Sequence, residues 1–160
     1  MTFVVGDSVT FTKTVGETDV YLFAGITGDF APNHVDRTYM ERTRYGERIA
    51  HGVLVLGYAS TASSRMLAKA GADAVSYGYD RVRFCGPVFL GDTVTVHYEV
   101  ERVDEAQRKV YSAVRVANQD GTVCLAATHI LKLIDAGGGP APDPTSPARP
   151  ASPGSAPSAP

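Results

Sequence analysis

At 160 residues, 44% of them hydrophobic, the chain is long enough for one domain with a real core. Its formal charge of −2, spread without a basic patch, gives no footing for nucleic-acid binding. No run approaches a membrane span, and Met1 to Asp7 lacks the basic region and long apolar run of a secretory signal, so a cytoplasmic protein is expected.

In chain order, Val9, Phe11 and Lys13 alternate with Ser8, Thr10 and Thr12, which predicts a first strand ending at Gly16. A short helix follows, with Thr18 as its N-cap, Asp19 in its first turn, and Val20, Phe23, Ala24 and Thr27 on one face. Gly28 stops it, because glycine enters the left-handed region without a steric penalty, and Asp29 begins a loop. Arg37 to Tyr45, mixed and charged, reads as a short exposed helix. A longer helix runs from about Val53 to Ala70 and is closed by Gly71. Its first half is apolar all round, the pattern of a helix surrounded by protein. Ala50-His51-Gly52 offers that helix no Ser, Thr or Asp as a cap, which leaves its first N–H groups open to an anionic or carbonyl oxygen.

The second half is β. Tyr77 to Cys85 alternates, Gly86-Pro87 interrupts it, and Gly91-Asp92 turns the chain. Thr93 to Val103, Lys109 to Asn118 and Thr122 to Leu133 follow as an antiparallel meander, joined by turns at Asp104-Glu105 and Gln119-Asp120-Gly121. The fold class is therefore α+β, with one long helix wrapped by an antiparallel sheet. Residues 1–135 form the domain. Residues 136–160 are almost entirely Gly, Ala, Pro and Ser and read as a disordered tail, since they hold too little apolar surface to offset ordering entropy.

Within Gly28 to Asp36, Asp29 precedes His34 by five positions, with Pro32 between them. A carboxylate and an imidazole are the two groups needed to hold and deprotonate a water molecule. Cys85 and Cys124 lie far apart with no CxxC or Cys/His cluster, and read as reduced, partly buried thiols. No metal or redox cofactor is expected, since ligand clusters and phosphate-cradling glycine loops are absent from the sequence. His97 and His129 read as sheet-face or core histidines, and Arg81 and Arg83 as a solvated strand face rather than a phosphate site.

The pattern Gly28, Asp29, Pro32, His34, Asp36 resembles the hydratase motif Gly-Asp-x-Asn-Pro-x-His-x-Asp of the MaoC-like dehydratases, or (R)-specific enoyl-CoA hydratases, of hot-dog fold. His51-Gly52 is similar to the pair that opens the family's central helix, Ser60 falls where a site-facing serine is common, and Phe84 to Asp92 matches a Phe-x-x-Pro-Val-x-x-Gly-Asp stretch. The resemblance covers residues 5 to 134. It departs at Ala31, where the family has asparagine, while Asn33 stands beyond the proline.

The resemblance implies a single hot-dog domain that adds water to trans-2-enoyl-CoA, or to a carrier-protein thioester, to give an (R)-3-hydroxyacyl product, or runs the reverse dehydration. Asp29 and His34 would be catalytic, the Gly52 N–H would bind the thioester oxygen, and Ser60 would line the pocket or hold the catalytic loop. Pro32, Asp36 and His51 would support the loop. It also implies a homodimer, or a higher assembly of dimers. The alternatives are a hot-dog thioesterase and a non-catalytic acyl-binding subunit. The helix over Val53 to Ala70 has no Asp or Glu to serve the first, and the intact Asp29/His34 pair argues against the second.

Overall fold

The computed structural model describes residues 3–134. The expected tail at 136–160 lies outside the described residues. Strand β1 (Ser8–Thr14) leads into helix α1 (Glu17–Thr27), two short helices α2 (Pro32–Val35) and α3 (Arg37–Met40), and the long helix α4 (Gly52–Ala70). Strands β2 (Ala74–Phe84), β3 (Thr93–Asp104), β4 (Lys109–Ala117) and β5 (Val123–Leu133) complete one antiparallel sheet in the order β1-β3-β4-β5-β2. Among the described residues no helix is long and apolar enough to cross a membrane.

The strands follow from their period-two pattern. Val94, Val96, Tyr98 and Val100 of β3 and Val110, Ser112, Val114 and Val116 of β4 are buried, while the residues between them are partly or wholly exposed. Helix α4 lays Val55, Ala59, Ala62, Met66 and Ala70 against that face, mainly across β1 and β3. Small residues on the buried stripe, Ala59, Ala62 and Ala70, let the helix approach the sheet closely.

Three expectations are corrected. Helix α1 is capped by Gly16 and not by Thr18: the Asp19 carboxylate reaches back to the Gly16 N–H at 2.8 Å, so the helix begins two residues earlier. Of its expected face, Val20 and Ala24 are buried, whereas Thr27 is exposed and turns its hydroxyl onto the Phe23 carbonyl. The expected meander of β3-β4-β5 is present. β2 lies at the far edge against β5, and the connection after Gly86-Pro87 spans the strand order to reach β3. Hydrogen bonds from Ala50 N–H to Val88 O at 2.7 Å and from Gly91 N–H to Val15 O at 2.8 Å hold that connection. Finally, the first half of α4 is not enclosed: Val53 is 57% exposed and Gly57 is exposed, while Leu54 and Leu56 are half-buried.

Candidate active site

The end of α1 sets the position of the acidic group. Gly28 takes φ 80°, a value that favours glycine, and its N–H closes on Ala24 O at 2.7 Å. Asp29 follows at once, its Oδ1 accepting from the Ala31 N–H at 3.2 Å and its side chain 52% exposed. Pro32 opens α2 at a position where its missing N–H does no harm, so His34 stands on a short helix rather than in a loop. Asp36 accepts from the Tyr39 N–H at 2.9 Å and caps α3.

His34 is buried and its tautomer is set by its partners. Nδ1 lies 2.7 Å from the carbonyl of Ile49, which can only accept, so Nδ1 carries the proton. The lone pair on Nε2 therefore faces Asn33 Nδ2 at 3.1 Å and Asp29 Oδ2 at 3.9 Å. His51 comes from the other side, just before α4. Its Nε2–H donates to the Asp29 backbone carbonyl at 2.9 Å, its ring stacks on His34 with centroids 3.6 Å apart, and Phe23 lies 5.0 Å away on α1. Its Nδ1 is buried with no hydrogen-bond partner.

Asp29, His34 and His51 place one ligand-type atom each within 4.8 Å of one another, a grouping that sequence spacing did not reveal. As a metal site its donors are poorly disposed, because the near nitrogen of His51 carries a hydrogen committed to a carbonyl. What remains is a pair of acceptors, the Asp29 carboxylate and His34 Nε2, facing a common point.

Next to that point α4 begins without a side-chain cap. Gly52 lies in the wall of a cleft of about 510 Å³ that also includes Asn33, His34, Val55, Val88 and Leu125. A methyl group built on Gly52 would meet ring carbons of Phe84 at 2.7 Å, so Phe84 covers this helix start. Ser60 is exposed and stands outside the cleft, its carbonyl accepting from Ser63 and Ser64. Cys85 (exposed) and Cys124 (buried) are free thiols that both border the cleft, and Arg44, Tyr45 and Phe84 complete its rim. These were missed because no spacing rule links residues 44, 84 and 124. Arg81 and Arg83 do not line it; Arg81 meets Thr128 Oγ1 at 3.4 Å and Arg83 its neighbour's carbonyl at 2.8 Å. His97 is exposed on β3, and His129 is buried between Ser76 and Tyr98.

A five-stranded antiparallel sheet carrying one long helix, with a site at the helix start, defines the hot-dog class. The (R)-hydratase of Aeromonas caviae, described as involved in PHA biosynthesis, superposes with a TM-score of 0.76 at 28% identity, covering 82% of this chain and 98% of that one. Residues 2–121 match the MaoC like domain, and the chain belongs to that family. In sequence it is similar to the (R)-specific enoyl-CoA hydratase of Rhodospirillum rubrum, 41% identical over 90 residues, 56% of this chain and 60% of that protein. It is also similar to the 3-hydroxybutyryl-CoA dehydratase of Methylorubrum extorquens, 35% identical over 105 residues, 66% of this chain and 65% of that protein. The chain thus spans less than two thirds of the length of these two relatives.

Proposed function

We propose that the protein adds water to trans-2-enoyl thioesters of CoA or a carrier protein, giving (R)-3-hydroxyacyl thioesters, or catalyses the reverse. The observation that carries this reading is the 3.9 Å gap between Asp29 Oδ2 and His34 Nε2, with His34 itself lining the cleft beside Gly52. That gap is too long for a direct hydrogen bond and suits one water donating to both. The Asn33 amide, which now meets the same lone pair, yields it to the water. Asp29 takes a proton as the water oxygen bonds to C3, the π pair moves onto the thioester oxygen, and a proton returned from the dyad to C2 completes the addition. A Gly52 N–H that meets that oxygen would be worth on the order of 3 kcal/mol in the transition state, as in known oxyanion holes. The relatives named as enoyl-CoA hydratase and hydroxyacyl-CoA dehydratase support the same reaction.

Pro32, Asp36 and His51 hold this loop in the proposal. Ser60, exposed in the single chain, takes part only if a second subunit covers it. A homodimer supplies that cover. On the β1 edge, Arg65 donates to Thr10 O at 2.7 Å and Lys69 to Ser8 O at 3.4 Å, which occupies backbone acceptors there. The β2 edge instead exposes Val75, Tyr77 and Phe84, so pairing runs through β2. Two free thiols are in keeping with a cytoplasmic location.

The test is loss of enone absorbance from crotonyl-CoA. Asp29→Asn and His34→Ala should each lower kcat by a factor on the order of 10² or more while the circular dichroism and melting temperature stay near the parent's. Both variants hydrating at the parent's rate would remove the site assignment. Release of free CoA with the double bond intact would point to a thioesterase, although α4 offers no acidic side chain for one.

A further inference from the structure

The cleft is asymmetric in a way that hydration itself does not require. Its inner end is apolar and closed by Val55, Val88 and Leu125, all buried. Its outer lip includes the exposed residues Arg44, Tyr45, Phe84 and Cys85. No carboxylate lines it, and apart from His34 the Arg44 guanidinium is its one ionisable nitrogen group, in a chain of net charge −2.

Arg44 is also held ready. Nη2 donates to the Tyr45 hydroxyl at 2.8 Å, and the guanidinium lies 4.9 Å from the centre of that ring. A stacked, hydrogen-bonded guanidinium loses less freedom on meeting a ligand than a free one, and keeps its remaining N–H groups for an oxyanion. Of the other arginines in this segment, Arg37 pairs with Glu41 at 3.0 Å and Arg48 with Glu17 at 2.7 Å, while Arg42 does not line the cleft. Among the described residues no ion pair engages Arg44.

A thioester seated with its carbonyl at Gly52 sends its acyl group toward the closed apolar end and its carrier toward the lip. Resting on the hydratase reading, we infer that Arg44 recognises a phosphate of the thioester carrier as it leaves the cleft. This is a specificity contact, separate from the dyad. Arg81 and Arg83, on β2, lie outside the cleft and do not substitute for it.

Three crotonyl thioesters separate the possibilities: those of pantetheine (no phosphate), 4′-phosphopantetheine and CoA. Arg44→Ala should raise KM for crotonyl-CoA about tenfold, and Arg44→Glu more, with kcat within about twofold. kcat/KM for the pantetheine thioester should stay at the parent value. A matching loss with the phosphopantetheine thioester assigns the contact to the 4′-phosphate that CoA shares with carrier proteins; a loss confined to CoA assigns it to the adenosine phosphates. The parent's KM for crotonyl-CoA should also rise with salt, and that dependence should flatten in Arg44→Ala. Equal losses on all three thioesters, or no loss on any, overturn the inference. Titration with free CoA by calorimetry keeps it separable from the reaction. Weaker CoA binding by Arg44→Glu in a protein that hydrates nothing would sustain the inference and end the hydratase reading; an active parent whose Arg44 variants match it would do the reverse.

Discussion

His51 shows how one side chain can govern a site without touching the reacting atoms. Its Nε2–H holds the Asp29 carbonyl at 2.9 Å, and its ring backs His34 at 3.6 Å, so it sets the distance between the two proposed catalytic groups. His51→Ala should therefore lower kcat by about tenfold or more with little change in KM, since small misplacements of catalytic groups are costly. His51→Gln, whose amide N–H can reach the same carbonyl, should recover much of the loss. Steady-state kinetics of the two variants checks this, and equal damage in both would leave His51 a packing residue. At this scale the Asp29 and His34 pairing was legible, because carboxylate, proline and imidazole fall within six residues. A supporting part for His51 was expected from the family resemblance, but the atom it holds was not legible. Its partner is a backbone carbonyl 22 residues away, and a carbonyl carries no sequence signature.

Elements were legible where a single residue type dictates the backbone. Gly28 and Gly71 both end helices with positive φ, at 80° and 58°, as glycines closing an apolar run should. Thr18 misled because an N-cap side chain was sought where Asp19 does the capping from inside the first turn. β2 was left unplaced for another reason: alternation specifies which face is buried but says nothing about which strand is the neighbour. That strand is also the element with most consequence for assembly. It is 11 residues long, it forms one border of the sheet, and its exposed Val75, Tyr77 and Phe84 are apolar, whereas β1 is short and presents Ser and Thr. The dimer proposal predicts twice the chain mass in light scattering at tens of micromolar. A Val75→Lys/Tyr77→Lys double variant should shift the mass toward the monomer, because like charges placed along a pairing edge oppose it. A monomeric parent would exclude pairing through β2.

Over the whole molecule, the α+β class could be read from one apolar helix followed by β runs, yet the sheet conceals a polar group that no pattern announced. His129 sits under the sheet's buried face at 1% exposure, bonded to Ser76 Oγ at 2.8 Å and Tyr98 Oη at 2.9 Å, with the Tyr79 ring stacked 4.3 Å away. In sequence it looks like one more alternate strand position, since a histidine within a Val/Ile/Ala run reveals neither its partners nor its charge. Burial lowers its pKa to about 4 and raises that of the Tyr98 phenol to about 12, so both are neutral over the ordinary range. The sign of the pH effect follows. Unfolded, His129 titrates near 6.5; folded, near 4. Between these values the unfolded chain binds more protons than the folded one, so its contribution to stability is complete above about 6.5 and is lost as pH falls toward 4. Thermal melts from pH 7.5 to pH 4.5 should show a falling midpoint. In His129→Gln, which keeps an amide for the same hydroxyls but does not titrate, the fall should be shallower even if the midpoint at pH 7.5 is lower. Carboxylates protonate in both proteins, so the difference between the two slopes isolates the imidazole. Parallel curves would mean that His129 accepts its proton in place, relieved by Ser76 and Tyr98, and that the neutral ring is not what holds this part of the sheet together.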